Sequence, residues 1–132
     1  MATGSVHGID YNDVSFIATA AMATLYVPVK NDTAVNTVVV ATAVGDEVTG
    51  FLQQTQATAG GAVPVRTSGF SLAVAGTAGW TRGDKLTADT AGVLITTTTA
   101  GDKVCAIAED TAAVTEIGEI RIIYPAVRYD SF

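Results

Sequence analysis

Residues 79–110 read GWTRGDKLTADTAGVLITTTTAGDKVCAIAED, and their alternation of strand-like runs with tight turns decides the fold. Leu86 to Ala88 is a short apolar-polar run, closed by the turn Asp89-Thr90-Ala91-Gly92, where Gly92 is free to take a positive φ. Val93 to Thr99 is β-branched at six of seven positions, which suits a pleated, half-buried surface and disfavours a helix. Ala100-Gly101-Asp102 turns again, and Val104 to Ala108 returns. The expected product is a β-meander with very short connections. Nothing in it has the make-up of a catalytic centre.

The rest of the chain has the same character. Ala, Thr and Val supply 59 of 132 residues, charged residues are 15%, and aromatics 7%. Such a chain has enough apolar surface to offset the entropy of ordering, and its Thr, Val and Gly content predicts an all-β domain, sandwich- or barrel-like. The formal charge of −6, with the seven basic residues scattered, argues against direct nucleic-acid binding. Cys105 is the only cysteine, so no intrachain disulfide forms; inside an apolar strand it reads as a small buried hydrophobe. Met1 to Ser5 carries no basic region leading into an apolar core, so no secretory signal is expected. Val14 to Val29 is too short and too polar to span a bilayer.

Downstream of the central stretch, Asp110 to Glu116 is a loop, and Gly118 to Tyr124 reads as a strand that Pro125 ends. Ile120, Ile122 and Tyr124 line one of its faces and Glu119, Arg121 and Ile123 the other. Upstream, Val63 to Val74 is a strand broken at Gly69, with Pro64 arguing for an edge or a strand start. In its second half Phe70, Leu72 and Val74 share one face. Gln56 to Gly61 is a flexible loop, Thr37 to Val44 a buried strand, Lys30 to Thr33 a turn, and Leu25 to Val29 a strand. Val14 to Ala23 fits either helix or strand. The order Gly-Asp-charged-aliphatic-Thr occurs at Gly45 and again at Gly83, an offset of 38 residues, each time as a turn that launches a strand. Leu86, Leu94, Ile107, Ile120 and Ile122, with Cys105 or Val104, are the expected core.

No known catalytic constellation is present. His7 is the sole histidine and lies in a stretch without periodicity, so a triad has no base and zinc no ligand set. Asp46-Glu47 and Glu109-Asp110 are adjacent acids, which a strand would point to opposite faces. Asp84, Asp89 and Asp102 lack the spacing of a calcium loop. No cofactor or metal is expected, and the chain reads as a non-enzyme.

Certain residues carry a likeness. Gly45-Asp46-Glu47-Val48, VPVRTSGF at 63–70, WTRGDKLT at 80–87, AGVLITTT at 91–98, VCAIAEDT at 104–111 and GEIRIIY at 118–124 follow one another in an order that resembles capsid decoration (cement) proteins of tailed bacteriophages. The likeness covers residues 35–124, and Glu109-Asp110 stands where that family usually has a small residue. It implies a β-rich domain bound to the outer surface of an icosahedral head, made in the host cytoplasm, cementing major capsid protein subunits, frequently as a homotrimer. A tail-fibre, receptor-binding or adhesin-type subunit is the alternative.

On this reading the chain divides into an N-terminal arm and lead-in strand (1–34), the decoration domain (35–125) and a C-terminal tail (126–132). No membrane contact is expected. Val6, Ile9 and Tyr11 in the arm, and Tyr129 and Phe132 in the tail, are apolar groups that a lone extension would expose, and are the expected contacts to capsid or partner copies.

Overall fold

The computed structural model describes residues 12–129. Ten strands occupy them: β1 (Asn12–Ala18), β2 (Pro28–Asn31), β3 (Thr37–Val40), β4 (Val48–Leu52), β5 (Ala62–Ser68), β6 (Phe70–Val74), β7 (Lys85–Asp89), β8 (Val93–Thr96), β9 (Lys103–Ala108) and β10 (Ile117–Arg128). The chain is all-β. The first five strands close into a barrel in the order β1-β3-β2-β4-β5, and the others form a five-stranded sheet in the order β6-β10-β9-β7-β8.

The barrel closes where β1 lies parallel to β3 (Ile17 beside Thr37, Ala18 beside Val38). Its interior is filled by Ala18, Met22, Val27, Val29, Val38, Leu52, Val63 and Val65. The ambiguity over Val14 to Ala23 resolves as strand up to Ala18, because β5 offers β1 a long antiparallel partner; residues 19–23 are irregular, with one bridge from Met22 to Gln56. Residues 12–34 thus supply two of the barrel's strands. The expected strand at Leu25 to Val29 begins only at Pro28, since Tyr26 turns the chain at a φ of 64°. The following turn lies beyond β2, with Asn36 at positive φ, and β3 ends at Val40 rather than Val44. Pro64 is not on an edge but lies, as the alternative expected, among the first residues of a strand, β5. It faces Ser15 across β1–β5, at a position that needs no N–H, and its carbonyl accepts from Gln53 N at 3.0 Å.

β4 is buried at every position because it serves two cores. Leu52 points into the barrel, whereas Val48 and Phe51 join the cluster of the second sheet. A register shift opposite Val29 and Lys30 makes Thr49 an extra residue, which brings Val48 and Phe51 to the same side. A Cβ on Gly50 would collide with the Arg66 carbonyl oxygen, so only glycine lets β4 and β5 approach this closely.

Gly69, at a φ of 87°, is more than a bulge: the chain there leaves the barrel and enters the second sheet. Arg66 holds the crossing by donating to the Phe70 carbonyl (3.2 Å) while its guanidinium grips Asp13 (2.8 and 3.2 Å). In β6 it is Ser71 and Ala73 that face inward, with Phe70, Leu72 and Val74 half-buried outside. The space under β6 is narrow: Gln53 Nε2 reaches Ser71 Oγ at 3.0 Å from the barrel side.

The expected meander is not formed. β8 pairs with β7 as a hairpin, but β9 pairs with the other side of β7, leaving β8 at the edge. The turn before β8 is as expected, with Ala91 and Gly92 at φ 62° and 74°. The threonine run stops being strand at Thr96, because Thr97 Oγ1 donates to the Asp102 carboxylate and accepts from Thr99 N. Leu86, Leu94, Val104, Cys105, Ile120 and Ile122 are buried as expected; Ile107 is not, since alternation gives the inward positions to Ala106 and Ala108. Pro125 does not end the last strand either. β10 runs to Arg128 after a break in register: Ile122 faces Ala106 and Val127 faces Val104, so residues 123–126 oppose Cys105 alone.

Candidate interaction surface

Of the expected contact residues, Val6, Ile9, Tyr11 and Phe132 lie outside the described residues, as does His7. Tyr129 is half-buried, and its N–H donates to the Asp102 carbonyl at 2.8 Å. That bond ties the end of β10 to the turn before β9.

The acidic residues near the expected turns serve as turn locks. In each of three turns the first carbonyl accepts from the N–H three residues on: Thr81 from Asp84, Thr99 from Asp102 and Ala113 from Glu116. Their third positions, Gly83, Gly101 and Thr115, stand at positive φ, as a type II turn requires. The acid then reaches back, Asp84 accepting from Thr81 N (2.8 Å) and Glu116 from Ala113 N (2.8 Å). Asp46 does the same for Thr42 and Ala43 (2.9 and 3.1 Å) and also binds Lys30 Nζ at 3.0 Å. Burial raises the Asp46 carboxyl, but Lys30 and the two backbone N–H groups outweigh it and hold the group below the usual carboxylate range. Asp32 is also held low, chiefly by the Thr19 hydroxyl, which donates to it across the β1–β3 seam at 2.7 Å.

Glu109 and Asp110 diverge, as adjacent residues should. Glu109 pairs with Arg121 (3.5 Å) and Arg82 (4.0 Å). Asp110 accepts from Glu119 N (3.1 Å) and from the indole of buried Trp80 (3.5 Å). A Cβ on Gly118 would crowd this carboxylate at 2.6 Å, so Gly118 makes the room for an acid in place of the small residue of the resembled family. Among the described residues, no three acid, thiol or imidazole groups converge to hold a metal ion. Full burial pushes the Cys105 thiol up to about 12, so the reactive thiolate is suppressed at neutral pH.

Surface features remain for recognition. Val35, Val114, Ile117 and Tyr124 are exposed apolar side chains. Tyr124 also walls a depression of about 230 Å³ between the barrel and the second sheet, with Lys30 and Asn31 of β2, Glu47 just before β4 and Thr49 within it. Sequence reasoning missed this grouping because the strands concerned are far apart in the chain. The signal that was available is Tyr124 itself, an aromatic placed before a proline that a strand must bulge to accommodate.

No family model matches the chain, and no curated protein matches it. Among solved structures it is similar to the head fiber gp8.5 N base in bacteriophage phi29, with a TM-score of 0.65 and 14% identity over 89% of this chain and 98% of that one. At that identity the likeness shows a shared fold: this chain is built on the same β-architecture as the base of a phage head fiber.

Proposed function

We propose that the chain is a structural protein of a phage virion, bound to the outer surface of the head and cementing major capsid protein subunits. The observation that carries this reading is the shared fold, which extends over nearly the whole of a base whose name places it on a phage head. The likeness of residues 35–124 to capsid decoration proteins rests on different features, short sequence motifs, and supports the same kind of particle. Assembly as a homotrimer, synthesis in the host cytoplasm and the absence of enzymatic activity, nucleic-acid binding and membrane contact belong to the same proposal. The turn-locking acids fit it, because a shell component gains from many rigid short connections.

A second reading, the base of a fibre or receptor-binding subunit, is favoured by the name of the structural neighbour. Electron microscopy of heads incubated with the purified chain separates the two. Compact density at many equivalent lattice positions, with a raised disruption temperature of the heads, supports cementing. Sparse occupancy without stabilisation supports a fibre base, and no binding to heads overturns both.

A further inference from the structure

We infer that the depression between the barrel and the second sheet binds one neutral pyranose unit of a glycan, with Tyr124 as the surface on which the sugar ring stacks. The first ground is the course of β10. Residues 123–126 leave the ladder opposite Cys105 and carry Tyr124 out beside β2 and β4, where it is 52% exposed. Bulges of this kind re-aim a side chain, and an aromatic ring with one open face is a ready platform for the apolar C–H face of a pyranose.

The second ground is the hydrogen-bonding character of the lining. Sugar hydroxyls both donate and accept, so a site for them needs a mixture of the two. Lys30 spends one hydrogen bond on Asp46 (3.0 Å) and keeps further N–H donors. Asn31 uses Oδ1 to accept from Thr49 Oγ1 (3.0 Å), which orients its amide and leaves the NH₂ group as donor. Glu47 contributes carboxylate acceptors and is steadied by Lys103 at 3.6 Å.

The third ground is charge and size. The lining carries one cation, Lys30, and one anion, Glu47, each already paired with a residue outside it (Asp46 and Lys103), which favours a neutral ligand over a phosphate or a cation. A volume of about 230 Å³ falls below the roughly 300–1,000 Å³ of sites for drug-sized ligands, so it suits one ring rather than an oligosaccharide. The site stands whether or not the chain decorates a head. On a virion, many copies would turn a weak contact into avidity for a glycan-coated surface.

The test is an NMR titration of the ¹⁵N-labelled full chain with glucose, galactose, mannose and N-acetylglucosamine, using glycerol as a polyol control. The expected result is a set of shifts confined to Lys30, Asn31, Glu47, Thr49 and Tyr124, with a millimolar Kd for at least one sugar. Tyr124→Ala, a change at an exposed ring, should weaken that binding by about tenfold or more. Glu47→Ala, at a second exposed position, should weaken it as well and serves if Tyr124→Ala does not fold. Shifts no larger than those with glycerol, shifts mapping elsewhere, or variants that titrate like the parent chain would each overturn the assignment.

Discussion

Phe51 is the residue at which the two halves of the molecule meet. It leaves β4 toward the second sheet while its neighbour Leu52 fills the barrel. Truncation to alanine would open a void between two β-layers that cannot both relax into it, so Phe51→Ala is expected to cost about 3–5 kcal/mol. The measurement is chemical denaturation followed by circular dichroism. A loss no greater than that of an exposed substitution such as Val35→Ala would show that the interface is not packed through this ring. Asp32 and Asp46 act at the same scale through protons. Both carboxyls are held low in the folded chain, so folding releases protons wherever the unfolded carboxylates are still protonated. Their contribution is fully present above the unfolded value of about 3.9 and is lost as the pH falls through the lowered folded values. Thermal melts of the parent chain and Asp46→Asn should therefore diverge at neutral pH and converge in strong acid. Curves that stay parallel through the acid range would rule out this linkage.

At the level of the element, the turns explain why so many short strands hold register. Asp84 locks the turn before β7 by accepting from Thr81 N, and Glu116 does the same before β10. Removing the acceptor leaves a backbone N–H without its partner, so Asp84→Ala should lower stability by about 0.5–2 kcal/mol, in the range of a lost helix cap. Asp84→Asn keeps an acceptor oxygen and should recover most of that loss in urea denaturation; equal losses in both variants would mean the charge, not the hydrogen bond, is what matters. The turn at Gly83-Asp84 was legible in the sequence because Gly-Asp is local turn chemistry, whereas the one at Glu116, with Thr115 in the glycine's place, was legible only as part of a loop. The strand order was not legible. Whether β9 returns beside β8 or crosses to β7 depends on which edge is free once the sheet is assembled, and no neighbouring residues encode that. The alternation along β6, with Phe70, Leu72 and Val74 on one face, was legible, but not which face turns inward; Ile107 was misplaced for that reason, since size and apolarity do not say which face is cramped. Pro125 misleads because a proline ordinarily stops a strand, whereas β10 bulges around it and resumes pairing at Val127. That same bulge places Tyr124, so the continuation of the strand and the candidate sugar site depend on one feature that the local sequence does not show.

For the whole molecule, the barrel and the second sheet are bound by more than the Gly69 crossing. The connection between β3 and β4 lies on the second sheet, its Val44 carbonyl accepting from Lys103 N and Thr87 Oγ1, both at 3.2 Å. Gln53 reaches Ser71 from the barrel side. A body braced in this way presents its surface as a unit, and that bears on how it would grip a head. The proposed arm contacts Val6, Ile9 and Tyr11 precede β1, so a cut after residue 11 leaves all five barrel strands at full length. A longer deletion would take Asp13 and its bidentate hold on Arg66, confusing loss of grip with loss of fold. At the other end, trimming must stop short of Tyr129, whose N–H secures Asp102; removal of residues 130–132 takes Phe132 alone among the proposed contacts. The chain lacking residues 1–11 is expected to melt like the parent but to sediment with undecorated heads at a small fraction of parental occupancy. The chain lacking 130–132 should still decorate heads and self-associate more weakly in analytical ultracentrifugation. Parental occupancy after the N-terminal cut, with folding intact, would move the capsid contact from the arm onto the β-domain itself.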